Sequence, residues 1–232
     1  MFRGSNNGRG FEFKNNDGVV ILDSEYARLS ILSKGRFVPT QESGLGSVTN
    51  FERVITTQEP PLVFVKPDNV GIVAGLCRVL ILGTPGNWTG FYVRAYDART
   101  AQPRGNYFAA AYLASPTALW GGRLYHANES LIFDTGTPSA VFSRASASWN
   151  FVTSGRDAQG QTIVYFSVPS VFSSNEYMLI NNFGMDVAGS SLRTASLYCW
   201  WDFPANRLWA ITIGATPQNT FYIPAVFAKI QA

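Results

Sequence analysis

The chain has 232 residues, of which 46% are hydrophobic, 14% aromatic and only 14% charged, with a formal charge of +3. This is too apolar for a disordered chain and well below the roughly 25% charge usual in globular proteins, so much of the surface is expected to be neutral or covered by other subunits. The basic residues are scattered, which argues against nucleic acid as a partner, and one histidine with two separated cysteines gives no zinc-ligand set and no expected cofactor.

Residues 1–9 are polar and glycine-rich and read as a flexible or docking arm, without the apolar core of a secretion signal. From Gly10 to Ser24 two short apolar runs flank Asn16, Asp17 and Gly18, residues that accept the positive φ of a tight hairpin turn. The same stretch returns 111 residues later. Gly10, Phe13, Val20-Ile21-Leu22 and Asp23-Ser24 match Gly121, Leu124, Leu131-Ile132-Phe133 and Asp134-Thr135, and Asn128-Glu129 takes the place of the turn. The match predicts two related halves, 10–115 and 116–232, each opened by a β-hairpin. A chance match over so short a stretch is the alternative.

Between the hairpins, Tyr26 to Leu32 is a third short strand and Thr40 to Asn50 a polar loop. Phe51 to Thr57 and Leu62 to Val65 are strands separated by Glu59-Pro60-Pro61. Leu76 to Leu82 is a nearly continuous apolar run, which suits a strand buried on both faces, and it pairs through Thr84 to Asn87 with Trp88 to Tyr96. Tyr107 to Leu113 reads as either a strand or a short helix. Further strands are expected at Ala140 to Ser143, Trp149 to Thr153, Thr162 to Val168, Met178 to Ile180, Ser196 to Trp201, Leu208 to Ile213 and Phe221 to Ile230. No segment holds a helical period for three turns. The longest apolar run, Val70 to Gly83, contains Arg78 and is too short to span a bilayer. The expected fold is therefore all-β, an antiparallel β-sandwich.

Candidate chemistry is sparse. His126, beside the second turn, is the one base a Ser-His-Asp catalyst would have to use, and it sits where turn-flanking polar residues sit. Glu12, Asp23, Glu129, Asp134, Glu176 and Asp202 are the carboxylates from which a glycosidase pair would be drawn. Asp23 and Asp134 recur at equal positions, which suits turn closure better than catalysis. Cys77 and Cys199 read as free, buried thiols. The expectation is a protein that is not an enzyme. Its most distinctive surface candidates are aromatic: Trp200, Trp201, Trp209, Trp88 and Tyr92, where one strand face packs in the core and the other offers rings to a partner pocket or a sugar.

The hairpin has a recognisable form. Gly10-Phe11-Glu12-Phe13-Lys14-Asn15-Asn16-Asp17-Gly18-Val19-Val20-Ile21-Leu22-Asp23-Ser24, followed by Tyr26-Ala27-Arg28-Leu29, resembles small proteins of the tail-gene region of long-tailed bacteriophages and prophages. The second copy departs from the form, with Glu129-Ser130 at the turn and no Tyr-x-x-Leu after Thr135. The resemblance covers about 20 residues closely and implies a non-enzymatic virion protein at a tail tip, made in the bacterial host. Its implied partners are tail hub or fibre proteins, further copies of the chain and a host surface receptor or glycan. It carries over no functional residues.

Overall fold

The computed structural model describes residues 3–4, 11–14, 20–23, 28–39, 46–95, 103–117, 119–126, 128–184, 187–188, 194–214 and 219–231, with backbone pairing alone for 3–4, 11–14, 20–23, 187–188 and 194–195. Among the described residues every regular element except a 3-10 turn at Asn181–Phe183 is a strand. A first small sheet contains β1 (Arg3–Gly4), β2 (Phe11–Lys14) and β3 (Val20–Asp23). Six strands follow: β4 (Leu29–Phe37), β5 (Gly46–Ile55), β6 (Leu62–Pro67), β7 (Val73–Thr84), β8 (Asn87–Ala95) and β9 (Gly105–Tyr112). The second hairpin is β10 (Arg123–Tyr125) with β11 (Leu131–Asp134). Then come β12 (Ser139–Ser146), β13 (Asn150–Arg156), β14 (Thr162–Pro169), β15 (Glu176–Leu179), β16 (Val187–Ala188), β17 (Thr194–Asp202), β18 (Arg207–Ile213) and β19 (Ala225–Gln231).

Two layers form the body, and their pairings are antiparallel. Strands β12-β19-β15-β6-β9-β4 close into a barrel, while β13-β14-β18-β17-β7-β8-β5 make an open sheet with β16 appended to β17. Alternation along each barrel strand divides its residues between two cores. On β6, Phe64 joins Leu29, Ile31, Phe108, Ala140, Leu179 and Ala228 in a cluster drawn from all six barrel strands, which is the filling of the lumen. Its neighbours Val63 and Val65 point the other way and pack with Leu76, Phe91, Phe166, Cys199, Trp201 and Leu208 of the open sheet. The fold is all-β, antiparallel and sandwich-like, with one layer closed on itself.

The ladders show how far the repeat extends. β2 and β3 pair Glu12 with Asp23, Phe13 with Leu22 and Lys14 with Val20, leaving Ile21 out as a bulge. β10 and β11 pair Arg123 with Asp134, Leu124 with Phe133 and Tyr125 with Leu131, leaving out Ile132. Register and bulge are the same at a spacing of 111 residues. The next strand keeps the spacing too, because the β4–β9 ladder skips Leu32 and the β12–β19 ladder skips Ser143.

Beyond the hairpins, β6-β9-β4 in the barrel corresponds to β15-β19-β12, and β5-β8-β7 in the open sheet corresponds to β14-β18-β17. The two halves meet at β4–β12, β6–β15 and β7–β17. Each layer therefore takes strands from both, and the division near Ser115 separates the repeat in sequence while the packing is shared. β13 alone among the body strands, apart from the two-residue β16, has no counterpart among the described residues of the first half.

Several local expectations need correction. Gly46 to Asn50, expected within a loop, is the start of β5 and pairs with β8. Its polar residues hide it, and Gly46 lies under the Tyr92 ring, where a Cβ would collide with the phenol. β7 is buried on both faces only over Ala74–Cys77. At Arg78 the backbone turns to φ 49° within a bulge, and Leu80 beyond it is 52% exposed. The ambiguous alanine-rich run is β9, where Tyr107 and Phe108 enter opposite cores. The last strand starts only at Ala225, after Pro224. The turn residues Asn16, Asp17 and Gly18 lie outside the described residues.

Both thiols are free and buried. Cys77 lies opposite Tyr198 and Cys199 opposite Leu76, so alternation puts the sulfurs on opposite faces of the sheet and no bond can join them. Burial pushes Cys77 up to about 11 and raises Cys199 well above the ordinary thiol range. An aromatic disulfide reagent at about pH 8 is expected to label neither cysteine in the native protein and both in denaturant. Rapid labelling of the native protein would show that the open sheet loosens locally.

Candidate functional site

The second hairpin is held by its first and last residues. Asp134 at the end of β11 has a fully buried carboxylate: Oδ2 accepts a hydrogen bond from Arg123 Nε at 2.8 Å. Oδ1 accepts from Thr117 Oγ1 at 3.2 Å and from the Gly136 amide at 2.9 Å, closing the turn into β12. At the tip, Asn128 Oδ1 accepts from the Ser130 amide and hydroxyl, and Glu129 sits at φ 66°, so the expected turn at Asn128-Glu129 is in place. His126 contributes backbone bonds to this turn and its side chain is exposed. Arg28, just ahead of β4, places its guanidinium 5.2 Å from the Phe133 ring centre. Like the first, this hairpin forms its own small sheet, and among the described residues no ladder joins either to a body layer.

The aromatic candidates divide by burial. Trp201 is 2% exposed and Trp88 is also buried, its Nε1 donating to the Thr57 carbonyl at 2.8 Å. Both belong to the core between the layers, which corrects their reading as stacking residues. Trp200 and Trp209 are cross-strand neighbours and half-buried. Tyr165 meets the Trp200 ring edge-on, and Trp209 donates to Asp202 Oδ2 at 3.2 Å beneath the Arg207 guanidinium. Tyr92 is half-buried over Gly46.

Among the described residues the most exposed aromatic lies outside the strands and was not among the candidates. Trp120 is 92% exposed beside Leu119 at 95%, immediately ahead of Gly121 and the second hairpin. A large apolar pair inside a glycine-rich connection was the available signal. Burial statistics make such a pair more telling than any tryptophan within a strand.

A cleft of about 240 Å³ opens between the barrel and the open sheet, with Phe172 and Phe203 beside Lys66, Asp68, Arg144 and Glu176. Arg36 grips Asp68 with two hydrogen bonds, to Oδ1 at 2.8 Å and to Oδ2 at 2.5 Å, and this holds the Asp68 carboxyl below its ordinary range despite burial. Burial pushes Glu176 up, but hydrogen bonds from Ser143 and Arg144 and the nearby charges outweigh it, so its carboxyl is also pulled down. Both carboxylates are thus held ionised, the opposite of the raised value that a general acid needs. Of the other carboxylate candidates, Glu129, Asp134 and Asp202 do not line this cleft. Glu129 is exposed at its turn, Asp202 caps the β17–β18 turn through the Ala205 amide, and Glu12 and Asp23 have no described side chains. Among the described residues no three of His, Cys, Asp and Glu cluster as metal ligands.

No protein-family model, no curated protein and no solved structure matches the chain. Among the described residues no helix is long and apolar enough to cross a membrane.

Proposed function

We propose that the chain is a structural subunit of a bacteriophage tail tip, whose hairpins and amino-terminal arm dock on neighbouring tail proteins such as the hub or fibre. The observation that carries this reading is the repeated hairpin. The stretch that resembles tail-region proteins and its divergent second copy share one register and one bulge, and each forms a small sheet apart from the body layers. A small sheet gains little stability from its own few ladder bonds, and contact with a neighbour would add to it. The arm already shows that mode, since Arg3 and Gly4 pair with Glu12 and Phe11. The low charge fits a subunit covered in an assembly. An antibody against the chain is expected to label the tail end of particles released by the bacterium that encodes it, by immuno-electron microscopy. Purified particles without the chain would overturn the reading.

The exposed Trp120 favours a second reading, a module that binds host glycans. If Trp120 stacks on sugar, host polysaccharide quenches tryptophan fluorescence in the wild type and not in Trp120→Ala. If it docks on a tail protein, polysaccharide leaves the fluorescence unchanged and Trp120→Ala is under-incorporated into particles.

A further inference from the structure

We infer that β13 is a pairing strand for a second copy of the chain, joining two open sheets edge to edge about a two-fold axis. The inference rests on the reading of the chain as an assembly subunit, and it names the partner and the surface. All seven residues of β13, Asn150–Arg156, are exposed, although the Phe151 ring leans edge-on against the buried Phe166. Among the described residues it is the terminal strand of the open sheet and pairs only with β14. Among the described residues the first half has no counterpart to it.

Among the described residues nothing bonds to its outward backbone. The Asp157 amide donates to the Gln161 carbonyl at the turn, and alternation from there aims the Gly155 and Thr153 amides at β14 and the Arg156 and Ser154 amides outward. Edge strands are normally blunted by lysine, proline or inward charge, and Asn150 to Gly155 carries none of these, leaving the bulge at Val152 as the one irregularity. Phe151 and Val152 are large apolar side chains on this edge that remain exposed.

The opposite edge is less available. β5 bends away over residues 51–54, and its Glu52 amide is taken by Ser33 Oγ at 3.1 Å. The sequence of β13 suits its own copy. The single charge, Arg156, lies at one end, so antiparallel pairing places the two arginines at opposite ends of the joint ladder, free of like-charge contact. A two-fold pairing also closes, whereas joining β13 to a neighbour's β5 would run on into a ring or filament.

The test is the mass of the full chain by light scattering coupled to size-exclusion chromatography over a concentration series. The wild type is expected to reach twice the 25.4 kDa monomer. Ser154→Pro removes one outward amide and spares the β14 ladder, so it is expected to weaken association by about a hundredfold with an unchanged circular dichroism spectrum. Should Ser154→Pro lower the thermal midpoint, Val152→Lys decides, because it places a charge on the edge without touching backbone bonds. A wild type that stays monomeric, or a dimer or larger oligomer that both variants preserve, overturns the inference. A monomer overturns the strand pairing alone, whereas absence from particles overturns the tail reading and leaves the strand pairing standing.

Discussion

Phe64→Ala is expected to cost about 3–5 kcal/mol of folding stability, the range for truncating a fully buried aromatic. Phe64 is 0% exposed and stacks on Phe108 with ring centres 4.7 Å apart, while Phe142 lies 6.1 Å away. The buried lumen residues of the second half, Ala140, Leu179 and Ala228, are smaller than Phe64 and Phe108, and its larger rings there, Phe142 and Tyr177, are not fully buried. Truncating Phe64 therefore removes the stack on Phe108 and leaves a cavity in the lumen. In urea unfolding the midpoint should fall with little change in slope. A loss below about 1 kcal/mol would mean that the barrel collapses around the gap and that the interlayer core alone carries the fold.

The strand-rich body was readable because its signals are local. Asn, Gly, Pro and Asp clusters punctuate short apolar runs, and the β7–β8 turn, with Gly83 and Gly86 at φ 121° and 81°, lies where Thr84-Pro85-Gly86-Asn87 placed it. The repeat was readable at its hairpins for the same reason. What stayed hidden depends on pairing between distant residues. Barrel closure rests on a single bridge, Ser30 with Ser139, and on Met178 and Leu179 meeting Val65 and Phe64, and nothing in those residue types marks them as seams. The start of β5 was hidden because Gly46 is there to admit the Tyr92 ring, a reason that exists only in the packed sheet. Of the aromatic candidates, Trp201 and Trp88 were misread because period-2 alternation separates two faces without saying that both layers are packed over one of them. Trp120 gave no strand signal, because it stands in a glycine-rich connection, and aromatics inside strands are ordinarily buried.

Arg144 joins the barrel to the loop ahead of β15, and Arg144→Met is expected to cost about 2–3 kcal/mol near neutral pH, less than for a fully buried pair because the arginine is 33% exposed. Arg144 Nε donates to Glu176 Oε2 at 2.9 Å, Nη2 reaches the Val171 carbonyl at 3.1 Å, and the guanidinium lies 3.7 Å from the Phe227 ring centre. Removing it leaves the Glu176 side chain, only 10% exposed, with Lys229 Nζ at 3.9 Å as the remaining cation. The cost should depend on pH. In the wild type the Glu176 carboxyl sits below its ordinary value of 4.5, so its contribution is complete above that value and is lost as pH falls through the lower native value. In Arg144→Met two of the influences that oppose burial are gone, leaving the Ser143 hydrogen bond and the Lys229 charge, so the carboxyl takes up a proton at higher pH than in the wild type. The stability gap between wild type and variant should therefore be widest near pH 7 and narrow toward about pH 3, where Glu176 is increasingly neutral in both proteins. Urea unfolding at the two pH values measures this directly. A gap that does not change with pH would mean that Arg144 acts through its packing on Phe227 and its bond to Val171, with the charge on Glu176 contributing nothing.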